Sequence, residues 1–499
     1  MTMSKIRGMH GLLATSLGVT CAAALTLPLA PPAGAAPEPP APMAEAAAAV
    51  AGAARPDPPQ VPGAPPRAAS ATPDLPGSTQ SLPLAPLARD RALGGAGDQG
   101  LPRRDVRHFS LLGVVWNDPD TPLHGRVQVR TRAAGTHAWS GWQDLETHND
   151  DHGADPGTAE RTSGHVRAGT APLWVGDSDG VEVRVHGEDT DRHGRTGATR
   201  AALTTPGAAA ALPKGLRLEL IDPGTEDTRA VHLSAEAAGT RQIRPAALDA
   251  EARAASAANA DLAPVGALEI PALDRAQTRS ELLSLRSGRL TAAQKAKPYI
   301  GPRPGIVTRR GWGADEKLRE KSFVYTSKVK AAFVHHTASG NTYKCSQAPS
   351  LIRGIYRYHV RSMGWRDIGY NFLVDKCGTI YEGRAGGVAK AVLGAHTLGF
   401  NTNSMGIAVI GTFGSTKPPA AAVTAVARLT AWKLGLYGGN PKGKTYLKSG
   451  GGNLYRKGKN VRLNVISGHR DGFATECPGR QLYGKLGTAR SSAARLQGR

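Results

Sequence analysis

Acidic residues are scarce in the C-terminal part of this 499-residue chain. Residues 301–499 hold 8 Asp and Glu against 32 Lys and Arg, whereas the first 300 residues hold 32 against 30, so the excess positive charge lies in the C-terminal part. A strongly basic region attracts polyanions. The sequence also lacks the motifs of zinc fingers, homeodomains and RNA-recognition domains. We therefore expect a polyanionic partner that is not nucleic acid.

Cysteine is also scarce, with four residues in the whole chain. Cys21 lies in an apolar N-terminal stretch and follows Thr20, whereas a lipidated cysteine normally follows Gly or Ala, which argues against a lipid anchor. Cys345, Cys377 and Cys477 remain. In an exported protein, three cysteines suggest one disulfide and one thiol with another use.

Long apolar runs are absent except near the N-terminus. There, Lys5 and Arg7 precede an apolar stretch over residues 11–29, and small residues follow at 33–36. This order is typical of a secretory signal peptide, which we predict over residues 1–36. The stretch is too short and too rich in proline for a membrane span. We expect a secreted, cell-wall-associated protein without stable membrane insertion.

Composition divides the rest of the chain into four parts. Residues 37–104 are rich in Ala and Pro, which predicts a disordered linker. Short alternating apolar and polar runs over residues 105–222 predict an all-β, sandwich-like accessory domain. Residues 223–303 show no firm pattern and are interpreted as a second linker. Strand and helix patterns alternate over residues 304–490, which predicts an α/β domain with a mixed sheet flanked by helices.

Two histidines and a cysteine in this last domain form a candidate metal site. His469 precedes Cys477 by eight residues, and His335 closes an apolar run from Val329 that is typical of a buried strand. Two imidazoles and one thiolate make an open zinc site with a fourth position for water. Zinc activates such a water for hydrolysis near neutral pH. The pattern therefore favours a zinc hydrolase.

Six ordered motifs between residues 305 and 485 resemble the peptidoglycan recognition protein family, which is related to phage lysozyme-type N-acetylmuramoyl-L-alanine amidases. The motifs are Phe-Val-His335-His336-Thr-Ala, Gly-Trp-Arg-Asp-Ile-Gly-Tyr370-Asn-Phe-Leu, Tyr-Glu-Gly-Arg384, Gly-Ala-His396, Phe-Asn401-Thr-Asn-Ser-Met-Gly-Ile, and Ser-Gly-His469-Arg-Asp with Cys477-Pro-Gly. The resemblance implies a central β-sheet flanked by helices, and a zinc ion in a groove that binds the peptidoglycan stem peptide.

The resemblance also implies roles for single residues. His335, His469 and Cys477 match the three zinc ligands. Tyr370 matches a catalytic tyrosine whose hydroxyl donates to the developing oxyanion or orients the zinc-bound water. Thr475 stands where phage enzymes carry a lysine, and the animal amidases of the family accept threonine there. We therefore expect Thr475 to be the second catalytic residue, which stabilises the oxyanion together with Tyr370.

Further residues match the walls of the groove. Arg384 has the fork-shaped side chain that suits a stem-peptide carboxylate. The positions that we expect to contact substrate are His336, His359, Arg384, His396 and Asn401. Cys345 and Cys377 resemble the family's disulfide, in agreement with the cysteine count.

We therefore expect a monomeric, zinc-dependent N-acetylmuramoyl-L-alanine amidase that cuts the amide between N-acetylmuramic acid and L-alanine. Its expected partners are peptidoglycan and anionic wall polymers. Two alternatives remain open, namely a recognition module that binds peptidoglycan without cutting it and a basic surface adhesin whose function lies in the β-domain. Non-catalytic family members characteristically lack the cysteine ligand, and this chain keeps Cys477.

Overall fold

A computed structural model describes residues 77–87, 98–147, 151–188, 211–224 and 248–499. The predicted signal peptide, residues 1–36, and most of the first predicted linker lie outside the described residues. Among the described residues, no helix has the length and apolar character that a membrane crossing requires.

The N-terminal domain is an antiparallel sheet of eight strands, which confirms the all-β prediction. The central strand order is β1-β8-β3-β7-β4-β5, and β2 and β6 pair with β3. Alternate residues of β7, such as Val181, Val183 and Val185, are buried in its core. The strands are β1 (Ser78–Pro83), β2 (Ala85–Pro86), β3 (Gln99–Trp116), β4 (Gly125–Ala133), β5 (Gln143–Leu145), β6 (Ala168–Gly169), β7 (Leu173–Gly187) and β8 (Arg217–Asp222).

This sheet extends beyond the predicted boundary. Strand β1 lies inside the range predicted as a linker, 37–104, and pairs with β8 from Ser78 opposite Asp222 to Pro83 opposite Arg217. The pairing uses backbone groups, so the polar sequence of β1 gave no alternating pattern to detect.

The second predicted linker, 223–303, is also structured over much of its length. Its elements are α1 (Ala250–Ala257), β9 (Glu269–Ile270), α2 (Arg275–Arg286) and α3 (Ala292–Ala296). Leu282 and Ile300 are buried in the C-terminal core. Asn259 donates to both carboxylate oxygens of Glu382, at 2.9 and 3.0 Å. The interpretation as a linker was therefore wrong for residues 250–303, which belong to the C-terminal domain.

The C-terminal domain contains a mixed seven-stranded sheet in the order β17-β11-β14-β12-β13-β10-β9. A separate hairpin joins β15 and β16. The strands after β9 are β10 (Ile306–Val307), β11 (Ala331–His336), β12 (Phe372–Val374), β13 (Ile380–Glu382), β14 (Ser404–Val409), β15 (Lys444–Lys448), β16 (Asn460–Asn464) and β17 (Ile466–Gly468). The helices are α4 (Ala348–Arg357), α5 (Ala420–Gly435), α6 (Arg480–Tyr483) and α7 (Leu486–Gln497).

Helices cover both faces of this sheet, as predicted. Side chains alternate across β14, so Ile407 and Val409 enter the cluster that contains α5 and α7. Ala408 faces the other way, into the cluster that contains α4. Strands β17, β11, β14 and β12 run parallel to one another, which brings their carboxyl ends to one edge.

The N-terminal sheet packs against α4. Leu111 and Ile221 join the cluster of buried residues that contains Ile355. The Tyr358 hydroxyl, one residue beyond α4, donates to the Thr170 carbonyl at 3.0 Å. The accessory sheet is therefore fixed next to the edge of the larger sheet where the predicted site residues lie.

Candidate metal centre

Parallel strand pairing brings the two predicted histidine ligands together. Val334 of β11 lies opposite Gly468 of β17, so the residues that follow them, His335 on β11 and His469 in the turn after β17, lie side by side. Their Nδ1 atoms are 3.1 Å apart, and both side chains are fully buried. Two residues 134 positions apart thus meet because the short strands β11 and β17 pair in parallel.

Cys477 enters the same site from the loop that follows His469. A short 3-10 turn covers His469–Asp471, and the Arg470 amide donates to the Cys477 carbonyl at 3.1 Å. This closed loop places the Cys477 Sγ atom 3.8 Å from His335 Nδ1. The three residues predicted to bind metal therefore converge.

A fourth side chain, His152, comes from the N-terminal domain and was missed by the sequence interpretation. One donor atom each from His152, His335, His469 and Cys477 lie within 4.8 Å of one another. The Asp151 carboxylate holds His152 Nδ1 at 2.7 Å. An ionised carboxylate only accepts, so Nδ1 carries the proton and Nε2 keeps its lone pair. That Nε2 atom is buried and has no hydrogen-bond partner.

The spacing of these donors fits zinc. Tetrahedral zinc, with bonds of about 2.1 Å to nitrogen and 2.3 Å to sulfur, separates two nitrogens by roughly 3.4 Å and a nitrogen from a sulfur by roughly 3.6 Å. The corresponding distances here are 3.1 Å between His335 and His469 and 3.8 Å between His335 and Cys477. Two ring nitrogens that face each other at this distance need a proton or a cation between them. The donor set therefore fits a zinc ion.

Burial also sets the protonation of these groups. Desolvation, opposed by Asp151 and helped by the nearby His152, lowers the pKa of His469 to about 3. Desolvation and the neighbouring histidines hold the pKa of His335 well below its usual value. Both rings are thus neutral at physiological pH, as metal ligation requires. Burial raises the pKa of the Cys477 thiol, so its ligating thiolate form needs a cation beside it.

Two family models match the chain. The first, described as N-acetylmuramoyl-L-alanine amidase, matches residues 325–480 and includes the three predicted ligands. The second, described as the Rv3811 N-terminal galactose-binding domain-like family, matches residues 66–210. The two matches correspond to the two sheets.

Curated relatives match part of the chain. Peptidoglycan-recognition protein 1 of Holotrichia diomphalia is 31% identical over 184 residues, which cover 37% of this chain and 79% of that protein. Peptidoglycan-recognition protein SC2 of Drosophila simulans is 29% identical over 183 residues, 37% of this chain and 85% of that protein. The chain belongs to the peptidoglycan recognition protein family.

Solved structures of the family match a similar share of the chain. Drosophila PGRP-LB is 27% identical and matches over 37% of this chain and 92% of its own, with a TM-score of 0.29. Peptidoglycan recognition protein-LE, solved with tracheal cytotoxin, a monomeric diaminopimelic acid-type peptidoglycan, is 33% identical over 37% and 92%, with a TM-score of 0.28.

The structure places the two residues that the family resemblance makes catalytic at the metal centre. The Tyr370 ring centroid lies 5.5 Å from that of His335, and the residue is buried. Burial, with the charges of Cys477 and Asp151, raises the pKa of Tyr370 well above its usual value, so the phenol keeps its proton. Thr475 accepts a hydrogen bond from the Cys477 amide at 3.1 Å.

Two of the five predicted substrate contacts are hydrogen-bonded to side chains or backbone of the N-terminal domain. Arg384 is buried and makes a two-pronged ion pair with Glu160, at 2.8 and 2.9 Å. The Asn401 amide donates to the Gly153 carbonyl at 2.8 Å and to Asp155 Oδ1 at 2.7 Å. Sequence reasoning found both groove residues but not the partners that hold them.

The other three predicted contacts are buried histidines. His359 Nδ1 accepts from the Gly369 amide at 3.2 Å. His396 lies 5.3 Å from His335 between ring centroids, and its Nδ1 atom is 3.0 Å from the Thr397 hydroxyl. The rings of His359 and His396 therefore pack around the site. His336 accepts from the Phe413 amide through Nδ1, while its Nε2 lies 3.5 Å from Glu146 Oε2.

The family's disulfide is also present. Cys345 and Cys377 are bonded to each other, which leaves Cys477 as the free cysteine among the described residues. The bond ties the turn before α4 to the hairpin between β12 and β13. It therefore braces the helix against the sheet, as the resemblance implied.

Proposed function

We propose that the chain is an exported, zinc-dependent N-acetylmuramoyl-L-alanine amidase that acts on peptidoglycan. The main support is that His335, His469 and Cys477 converge at spacings suited to tetrahedral zinc. The match to an amidase family model over residues 325–480 supports the same reaction. The basic C-terminal domain suits a wall rich in carboxylates and phosphates.

A zinc ion in this site would polarise the scissile carbonyl and lower the pKa of a water molecule beside it. Tyr370 contributes a protonated hydroxyl next to the site, because its pKa lies well above the usual value. It is therefore able to donate a hydrogen bond to the carbonyl oxygen as negative charge develops there. Thr475 is the second hydroxyl at the site, and its contact with the Cys477 amide fixes the ligand loop.

Arg384 is the group that would hold the stem peptide. Its Nε atom donates to the Ile368 carbonyl at 2.9 Å, which fixes the plane of the guanidinium. The two terminal nitrogens point at a carboxylate, here Glu160, in the geometry that a stem-peptide carboxylate would use. Binding at Arg384 would orient the substrate amide relative to the metal.

Recognition without cleavage is the second candidate, because the curated relatives carry recognition in their names. The two candidates differ at Cys477, which a binding module does not need. Purified sacculi incubated with the full-length chain, with and without chelator, separate them. An amidase releases products with a free L-alanine amine, identified by mass analysis, and loses this activity on chelation. If the chain binds the sacculi but no new amines appear, recognition without cleavage is favoured.

A further inference from the structure

One segment of the N-terminal domain lies in the groove of the C-terminal domain. We call residues 151–166 the groove segment; it lies between β5 and β6. Its side chains Asp151, His152, Asp155 and Glu160 are each less than 8% exposed. Charged and polar side chains are rarely so buried unless each is paired or hydrogen-bonded.

His152 occupies the side of the metal centre that the three family ligands leave open. Its ring centroid lies 4.6 Å from that of His469 and 5.2 Å from that of His335. Asp151 orients the ring through Nδ1 at 2.7 Å, in the carboxylate–histidine arrangement that supports metal-bound imidazoles. The Nε2 atom, buried without a partner, is the donor that remains for a cation.

The rest of the groove segment occupies the predicted substrate contacts. Glu160 presents a carboxylate to Arg384, and Asp155 accepts from the Asn401 side chain and from the Gly399 amide at 2.8 Å. The Leu398 amide donates to the Asp151 carbonyl at 3.0 Å. The stem peptide would place a carboxylate on Arg384, as Glu160 does here. The segment therefore occupies the groove in place of substrate.

We propose that His152 is a fourth ligand of the metal and that the groove segment keeps the full-length chain latent until it leaves the groove. The proposal rests on the proposed function for its second half only. A closed site with four protein ligands is typical of structural zinc, whereas catalysis needs one position for water. Displacing the segment frees that position and Arg384 together.

The ligand assignment is tested on the full chain loaded with Co2+. His152→Ala should change the visible absorption of the bound cobalt and lower zinc affinity by about 10-fold or more. His165→Ala is the matched control, since His165 belongs to the same segment but is exposed. An unchanged cobalt spectrum and zinc affinity in His152→Ala would overturn the fourth ligand.

Latency is tested by cutting the segment. A protease site replaces the exposed residues 162–165, and the control carries it in the exposed turn 135–138. Cleavage at 162–165 should raise amine release from sacculi by about tenfold, as when nine of ten molecules are closed. Equal release before and after that cleavage would refute latency and leave the proposed function standing.

The two proposals fail in distinguishable ways. If no form of the protein releases amines, intact, cut or substituted, the proposed amidase activity is wrong and latency falls with it. The cobalt spectrum then still decides whether His152 binds metal. If the intact chain and the chain cut at 162–165 release amines equally, the amidase stands and the segment does not restrain it.

Discussion

Arg384 and Glu160 form a buried two-pronged ion pair across 224 residues of sequence, with distances of 2.8 and 2.9 Å. Arg384 also donates from Nε to the Ile368 carbonyl. The guanidinium therefore hydrogen-bonds both to its own domain and to a carboxylate of the N-terminal domain. Because both groups are buried, neither has water as an alternative partner, and the pair ties the two domains together at the groove.

Glu160→Gln should loosen this junction. The substitution keeps the shape of the side chain but leaves Arg384 buried opposite a neutral group, which we expect to lower the free energy of unfolding by about 3 kcal/mol. Urea denaturation measures the loss. Glu188→Gln is the control, because Glu188 is exposed and its substitution should change stability by less than about 0.5 kcal/mol. Equal effects of the two substitutions would contradict the structural importance of the pair.

Cys477→Ala should remove the thiolate ligand and abolish amine release from sacculi. Zinc affinity should fall by more than about 100-fold, since loss of a supporting residue alone costs up to that much. Wall binding should persist, because the basic surface is unchanged. Metal analysis, product analysis and a sacculus pull-down report these three quantities. Full turnover in this variant would rule out the proposed centre.

Tyr370→Phe should lower turnover by about 100-fold with unchanged zinc content, because it removes one donor to the developing charge. The control is Tyr356→Phe, since Tyr356 is equally buried and its hydroxyl donates to the Asp315 carbonyl away from the site. The rate is measured on a soluble muropeptide. If zinc is lost from Tyr370→Phe, the tyrosine supports the ligands and not the reaction.

Glu382 should make stability depend on pH. Burial, opposed by Asn259 and Arg309, raises its pKa from 4.5 to about 7. Its contribution to stability is complete below pH 4.5 and is lost as the pH rises through 7, because the unfolded chain releases this proton first. A shift of this size corresponds to about 3 kcal/mol. Glu382→Gln should remove that part of the decline.

Urea denaturation at several pH values between 4.5 and 7.5 compares Glu382→Gln with the natural chain. The comparison uses the slope with pH, since the new amide also changes the hydrogen bonds to Asn259. Glu188→Gln should leave the slope as it is. Identical slopes in all three proteins would show that Glu382 does not titrate in this window.

The local motifs made the cluster of His335, His469 and Cys477 predictable. His335 ends an apolar strand, and His469 precedes Cys477 by a short loop, so each ligand has a recognisable sequence neighbourhood. His152 has none. It lies in a loop of another domain, 183 positions before His335, and no spacing rule links the two. Only the packing of the N-terminal sheet on α4 brings it to the site.

The helices of residues 250–303 were missed for a different reason. Their apolar faces are short, so periodicity was weak, although their starts carry recognisable caps. Asp274 with Gln277 and Thr291 with Gln294 each form a reciprocal capping pair. These pairs were the available signal. The contact of Asn259 with Glu382 depends on tertiary structure and had no counterpart in local sequence.

The disulfide between Cys345 and Cys377 has a practical consequence. It leaves Cys477 as the free thiol among the described residues, and that thiol is 1% exposed beneath the groove segment. Within the part of the chain that the structure describes, a thiol-reactive dye would therefore label Cys477, at the centre of the site, after the metal and the groove segment had moved aside. A dye attached to Cys477 would thus report the departure of the groove segment without an engineered cysteine.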